Sequence, residues 1–206
     1  MSWTKNISRI EIGTGVTEIG ANTFTGSGTL DYIKIPSSVT SIGAGAFYDT
    51  AVFEVDVDDI KSFCNITFGD DHSHPNLITA SLLKVKGSSC TDLVIPSGVS
   101  SIKSYTFTNF TNINTVTIPE SVTSIGASAF YACVAVTRVD FNGPCNIGQS
   151  AFDFCDFLKN VYMLTETVEQ VQAKANYPWG LPVGCTIHCS GLDKLVIQGS
   201  SGSGSV

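Results

Sequence analysis

Charge is scarce in this chain: Asp, Glu, Lys and Arg together make up 14% of its 206 residues. A surface so poor in charge draws its polarity from Ser, Thr, Asn and Gly, which suits turn-rich β structure. Basic residues are scarcer still, with 11 Lys and Arg scattered singly against 18 acidic residues and a net charge of −7. A protein that tracks phosphates needs clustered cations, so a nucleic-acid partner is excluded. No apolar run reaches the roughly 18 residues that a membrane-spanning helix requires, and no span is expected. The opening Met1-Ser2-Trp3-Thr4-Lys5 lacks the apolar stretch of a secretory leader, so none is expected in this chain. Histidine occurs three times, always outside the regular part of the sequence. No Ser or Cys stands in a nucleophile elbow, and no phosphate-binding glycine loop appears. Neither a catalytic set nor a cofactor is therefore expected, and the chain reads as a non-enzyme.

Hydrophobic residues make up 43% of the chain, enough for a continuous core. They are arranged as a repeat. Ile33-Lys34-Ile35-Pro36-Ser37-Ser38-Val39-Thr40-Ser41-Ile42-Gly43 returns as Val116-Thr117-Ile118-Pro119-Glu120-Ser121-Val122-Thr123-Ser124-Ile125-Gly126, and as Leu93-Val94-Ile95-Pro96-Ser97-Gly98-Val99-Ser100-Ser101-Ile102. Three columns set the period: Ile12, Ile35, Ile95, Ile118 and Phe141; Ile19, Ile42, Ile102, Ile125 and Ile147; Phe24, Phe47, Phe107, Phe130 and Phe152. Steps within them are 23 residues, with 22 at the last coil and 60 across an irregular unit. That period lies in the leucine-rich-repeat range. One coil has too few apolar residues to exclude water, but stacking sets Ile on Ile and Phe on Phe.

Within a coil, Tyr32-Ile33-Lys34-Ile35 alternates with period 2, which predicts a half-buried strand with Tyr32 and Lys34 outward. Pro36, Pro96 and Pro119 lack an N–H for the ladder and mark the corner that ends it. Val39-Thr40-Ser41-Ile42 predicts a second short extended stretch. Gly20, Gly43, Gly126 and Gly148 are expected to permit the turn after it, in a column that Lys103 breaks. Ala46-Phe47, Ala129-Phe130 and Ala151-Phe152 predict a third side, in a short helical turn. In the irregular unit, residues 58–64 predict a short helix capped by Asp58. A hairpin is expected next, pairing residues 82–85 with residues 92–95 around Gly87-Ser88-Ser89. Residues 165–176 carry Glu166 and Glu169 early, Lys174 late, and Val168, Val171 and Ala175 at helical spacing, which predicts a capping helix. Pro178 and a last strand near Leu195-Val196-Ile197 follow.

The expected architecture is a leucine-rich-repeat solenoid (α+β repeat) with coils of about 23 residues. Each coil has one main short strand, a second short extended stretch and a turn or short helix. A single domain is expected over residues 1–198, with regular coils at 7–53 and 91–163, an irregular helix and hairpin unit at 54–90, and a C-terminal cap at 164–198. Residues 199–206 have the composition of a flexible Ser/Gly tail.

These residues resemble the BspA-like leucine-rich-repeat family, whose pattern IPxSVTSIGxxAFxxC followed by an apolar strand runs through residues 7–163. Cys64-Asn65-Ile66-Thr67-Phe68-Gly69 with the later Thr91-Asp92-Leu93-Val94-Ile95-Pro96 also resembles an insert seen in gut-bacterial members, as does Asn176-Tyr177-Pro178-Trp179-Gly180-Leu181-Pro182. The resemblance implies a surface-associated adhesion or ligand-binding role in bacteria and some protists, at the cell surface or secreted. It supplies no catalytic motif. A structural spacer holding another domain away from a surface is the alternative reading.

The candidate binding surface is the outward ladder of the main strands, because a solenoid presents equivalent positions side by side. Arg9, Glu11, Tyr32, Lys34, Thr117, Arg138, Asp140 and Tyr162 are its principal members, with Asp92, Val94, Thr115 and Asn160 alongside. The mixture of charges, hydroxyls and tyrosines suits an extracellular protein or glycan ligand, against the alternative of a plain solvated sheet face. The protein is expected to act as a monomer. Asp70-Asp71-His72-Ser73-His74 is the one cluster with the look of metal ligands, weighed against a solvated loop; no metal is expected. Cys185-Thr186-Ile187-His188-Cys189 reads as packed thiols or one disulfide, because the seven cysteines are an odd number. Cys133 and Cys155 share a repeat position and read as stacked small hydrophobes. Three glycosylation sequons begin at Asn6, Asn65 and Asn109, and matter only for an exported eukaryotic chain. Trp179 suits either a sugar ring or the closing of a core.

Overall fold

A computed structural model describes residues 7–70, 73–74 and 81–199. The expected Ser/Gly tail from residue 200 onward, like Asn6, lies outside the described residues. Each circuit of the chain lays down a main strand, a two-residue lateral strand and a loop around a phenylalanine. The main strands form two sheets. The first runs β1 (Arg9–Glu11), β3 (Gly28–Ile35), β5 (Thr50–Val57), β7 (Leu82–Val85) and β8 (Ser88–Ser89). The second comprises β9 (Asp92–Val94), β11 (Thr115–Ile118), β13 (Arg138–Phe141), β15 (Asn160–Met163), β16 (Thr186–Cys189) and β17 (Lys194–Val196), hydrogen-bonded in that order. The lateral strands make two parallel ladders, β2 (Glu18–Ile19), β4 (Ser41–Ile42) and β6 (Thr67–Phe68), then β10 (Ser101–Ile102), β12 (Ser124–Ile125) and β14 (Asn146–Ile147).

The register is the one the repeat demands: Ile10 pairs with Ile33, Ile33 with Val55, Val116 with Val139 and Val139 with Val161. Like side chains therefore bury like, in one contiguous core from Ile19 to Ile197. On the third side Phe107, Phe130 and Phe152 stack at 5.3 and 5.4 Å, while Phe24 meets Phe47 at 5.3 Å. This side is not a helical turn. Left-handed residues stand two before and two after each phenylalanine, as in Gly45 and Asp49, Ser128 and Ala132, or Ser150 and Phe154. They fold the loop sharply enough to aim the ring inward. Three residues after each ring, Thr50, Cys133 and Cys155 donate to the carbonyls of Phe24, Phe107 and Phe130 in the preceding coil, at 2.6, 2.9 and 3.1 Å. Burial pushes the Cys133 thiol well up and Cys155 up to about 12, so both remain protonated donors. All seven cysteines are free thiols.

The glycine column has a different cause from the one expected. A Cβ on Gly43 would stand 2.5 Å from the Ala21 backbone nitrogen, and one on Gly126 would fall on the Ser104 backbone, 2.8 Å from its Cα. Close approach of the preceding coil excludes a side chain. Gly20 opens its ladder and meets only Thr23 Oγ1 at 3.4 Å. Lys103 opens the other ladder, so it too has no paired strand to strike. Its Nζ reaches back to Asn65 O at 2.8 Å and Thr67 Oγ1 at 2.6 Å.

Lys103 thus marks a break, for the lateral ladder stops at β6 and restarts at β10. Helix α1 (Ile60–Asn65) fills the gap and inserts Phe63 against Phe107 at 5.8 Å. Its cap is Asp59, which accepts from Ser62 N at 2.8 Å; Asp58 instead accepts from Ser37 N at 2.9 Å. The expected hairpin is also corrected. β7 pairs antiparallel with β8 alone, and Asp92–Val94 joins the second sheet beside β11. Asn112 splices the two sheets. Its Oδ1 accepts from Leu83 N at 2.8 Å and its Nδ2 donates to Leu83 O at 2.9 Å, the pairing a neighbouring strand would have made. Asn112→Ala strands the Leu83 N–H, while Leu83 O keeps the Cys90 N–H at 3.0 Å, and is expected to cost about 1–2 kcal/mol, read from urea unfolding, whereas Asn114→Ala on the exposed side should be near neutral. Equal effects of the two changes would remove Asn112 as the splice.

At the far end, α2 (Val168–Gln172) is shorter than expected and opens on a capping box between Thr167 and Gln170. Lys174 and Glu166 form a nearly buried ion pair at 2.6 Å. Trp179 is 1% exposed, accepts from Phe152 N at 3.0 Å through its carbonyl and donates its indole N–H to Ala175 O. It closes the core, and its ring has no open face for a sugar.

Candidate functional site

Outward positions of the main strands line up in two rows. In the first sheet Arg9, Tyr32, Glu54 and Leu82 form one row and Glu11, Lys34, Asp56 and Lys84 the other. In the second sheet the rows run Asp92, Thr115, Arg138, Asn160, Thr186 and Val94, Thr117, Asp140, Tyr162, His188, Lys194. Arg9, Glu11, Tyr32 and Lys34 are therefore brought together, and so are Thr117, Arg138, Asp140 and Tyr162. The two groups belong to different sheets, separated by the break at β7 and β9.

Each group holds the same device. The Arg9 guanidinium donates twice to Glu11 Oε1, at 2.9 and 2.6 Å, and lies 3.8 Å over the Tyr32 ring. Arg138 donates to both Asp140 oxygens at 2.7 Å and lies 4.1 Å over the Tyr162 ring. Each carboxylate, two residues along the strand, aims the planar cation at the tyrosine of the next coil. These hydrogen bonds also raise both arginines above their ordinary pKa. Tyr32 donates its hydroxyl to Asp56 Oδ2 at 2.7 Å; burial first, then this bond and the Asp56 charge, push the phenol up to about 12. Lys84 pairs with Glu54 at 2.8 Å, and Lys34 stands 3.8 Å from Asp58. In the second sheet Thr115 donates to Asp92 at 2.6 Å.

Sequence reasoning missed Glu54, Asp56 and Lys84 because they sit in the irregular unit, although Phe53-Glu54-Val55-Asp56-Val57 alternates cleanly. It also missed His188, which stacks on Tyr162 at 4.3 Å and 7° and is 2.9 Å from Asn160 Oδ1 through Nε2. The signal was the alternation of Thr186-Ile187-His188-Cys189.

Hollows open on these rows, among them one of about 640 Å³ beside Arg9 and Glu11, one of about 540 Å³ beside Tyr32, Phe53 and Leu82, and one of about 460 Å³ beside Tyr162 and His188. His74 departs from the expected solvated loop. It is buried, with Nε2 3.0 Å from Thr106 O and its ring 4.7 Å from Phe68. Asp71 and His72 lie outside the described residues. Among the described residues no group of three or more His, Cys, Asp or Glu is placed to hold a metal ion, and no helix is long and apolar enough to cross a membrane.

A family model described as a BspA type leucine rich repeat region matches residues 2–90 and 84–178, in six copies. The chain belongs to the BspA-type leucine-rich-repeat family. Among solved structures, this BspA-type chain is similar to a leucine rich cell surface protein from Faecalibacterium prausnitzii at 19% identity and a TM-score of 0.42. That match covers 91% of this chain and 61% of the other, so the chain spans about three fifths of its length. A leucine-rich repeat protein from Eubacterium ventriosum is similar at 16% identity and a TM-score of 0.37, over 89% of this chain and 72% of that one. The pneumococcal vaccine antigen PcpA is similar at 14% identity and a TM-score of 0.33, over 89% and 65% of the two chains. None of the curated proteins matches the chain significantly.

Proposed function

We propose that the chain is a non-catalytic recognition module that binds a protein or glycan on a host or neighbouring-cell surface, and that it acts at the cell surface or as a secreted protein. The observation that carries this reading is the repeated device on the outward rows, in which an aimed arginine covers the tyrosine of the next coil. Side chains already held by carboxylates lose little freedom on binding, which favours affinity. Tyrosine and arginine are also the residue types that dominate protein contact energies. The binding strip comprises Arg9, Glu11, Tyr32 and Lys34 in one sheet and Thr117, Arg138, Asp140 and Tyr162 in the other.

The purified chain is expected to bind cells or extracellular-matrix components in a surface-capture assay. Tyr32→Ala with Tyr162→Ala should weaken that binding by about tenfold or more, since each ring contributes on the order of 1 kcal/mol at such sites. The far-ultraviolet circular dichroism of the double variant should match the parent. Undiminished binding by a folded double variant would remove this face from the function.

A further inference from the structure

The first coil lacks the cover that the second receives. Ile10, Ile12 and Phe24 are only partly buried and Val16 is exposed, whereas their counterparts one coil on, Ile33, Ile35, Phe47 and Val39, are at most 2% exposed. Val16 shows the change best, at 37% against 1% for Val39. These side chains line the hollow of about 640 Å³ at that end, with Arg9, Glu11 and Glu18 around them. The opposite end is closed, for β17 runs antiparallel along β16 and Trp179 is buried there.

β1 is also an edge strand. Ile12 N donates to Lys34 O at 3.0 Å and Tyr32 N donates to Ser8 O at 3.1 Å, so residues 8, 10 and 12 turn their backbone groups toward β3. The alternate residues, Arg9 and Glu11, present N–H and C=O on the open side, where among the described residues no strand pairs with them. An occupant must therefore bring a strand as well as apolar side chains.

A second β1 meets both needs. Run antiparallel about a two-fold axis through Ile10, it sets Arg9 opposite Glu11 of the second copy and Glu11 opposite its Arg9, and both are pairs that exchange two hydrogen bonds. Registers centred on Arg9 or on Glu11 would set like charges opposite each other, so charge selects the one centred on Ile10. Ile10 then meets Ile10 on the inner face, at a non-hydrogen-bonded pair where side chains come closest. The coil has three sides, so the same axis lays the lateral strand of one copy over the phenylalanine loop of the other. Glu18 does not meet its own image, and the two apolar ends close on each other.

We propose that the chain forms a two-fold dimer through this end, with β1 pairing antiparallel to β1 of a second copy and the two five-stranded sheets joined into one. This departs from the monomer expected from the sequence. It stands apart from the recognition reading, although it places two copies of the Arg9–Tyr32 device on one continuous face.

The test is sedimentation velocity of the whole chain at physiological salt, where exposed charges more than about 8 Å apart are largely screened. The parent is expected to pass from monomer to dimer as concentration rises and to go no further, because a two-fold contact closes on itself. Arg9→Glu and Glu11→Arg alter side chains that are 57% and 56% exposed, so neither disturbs the core. Each puts like charges opposite one another and should weaken the dimer about tenfold or more. Mixed in equal amounts, the two variants should regain a dimer of about parental strength, since each then faces the opposite charge. A folding defect in either variant cannot produce that rescue. The dimer is overturned if the parent stays monomeric up to about 1 mM, if it grows beyond a dimer, or if the mixture is as weak as the separate variants. Sedimentation reads no ligand, so failure here leaves the recognition reading to the tyrosine double variant.

Discussion

Phe130→Ala should destabilise the protein by about 3–5 kcal/mol, the range for a fully buried aromatic removed from a core that relaxes only in part. Phe130 is 0% exposed and touches a like ring on each side, Phe107 at 13° and Phe152 at 4°. Its loss leaves a hole that both neighbours face. Phe24 provides the contrast, since it is only partly buried and among the described residues meets a single ring, Phe47, at 32°. Phe24→Ala should therefore cost about half as much, because less area and one interface are lost. Nearest-neighbour coupling adds a second signature. A defect in mid-ladder uncouples the coils on its two sides, so Phe130→Ala should also broaden the urea transition, and Phe24→Ala should only shift it. Equal costs for the two would mean that the rings do not support one another through stacking.

Gly126→Ala is expected to cost about 3 kcal/mol, at the upper end for overpacking, and Gly20→Ala to be neutral or to stabilise by a few tenths. Both backbones lie outside the left-handed region, so alanine fits the dihedral angles at each. Space alone separates them. The new methyl at residue 126 meets the backbone of Lys103 and Ser104, which cannot turn aside as a side chain can, whereas at residue 20 it meets a threonine hydroxyl at ordinary contact distance. Thermal melts of the two variants beside the parent give the comparison directly. An equal loss in both would show that the turn, and not the coil behind it, demands glycine.

Much of the fold was legible because a solenoid repeats its chemistry. Columns of Ile and Phe in the sequence are columns in space, so the period of 23 residues fixes the register before any coordinate is known. The outward positions followed from the same alternation, and Arg9, Tyr32, Arg138 and Tyr162 stand where period 2 places them. The errors gathered where the repeat stops. Asp58 and Asp59 both suit a cap, and only the path of the chain toward Ser37 decides that Asp58 is drawn away. His74 beside three acidic or imidazole neighbours reads as solvated, yet the third coil turns it in against Phe63 and Phe68.

The sequence by itself determined the period, the identity of the stacked columns and the outward rows, because each coil contacts its neighbours at matching positions and so repeats its own pattern. Only the tertiary structure decided that the rows split into two sheets, that Asn112 bridges them, and that His188 closes the second face of Tyr162. Those contacts join residues 26 to 29 apart in sequence across irregular units. A periodic signal carries no information about them, and the close packing of unlike parts sets them instead.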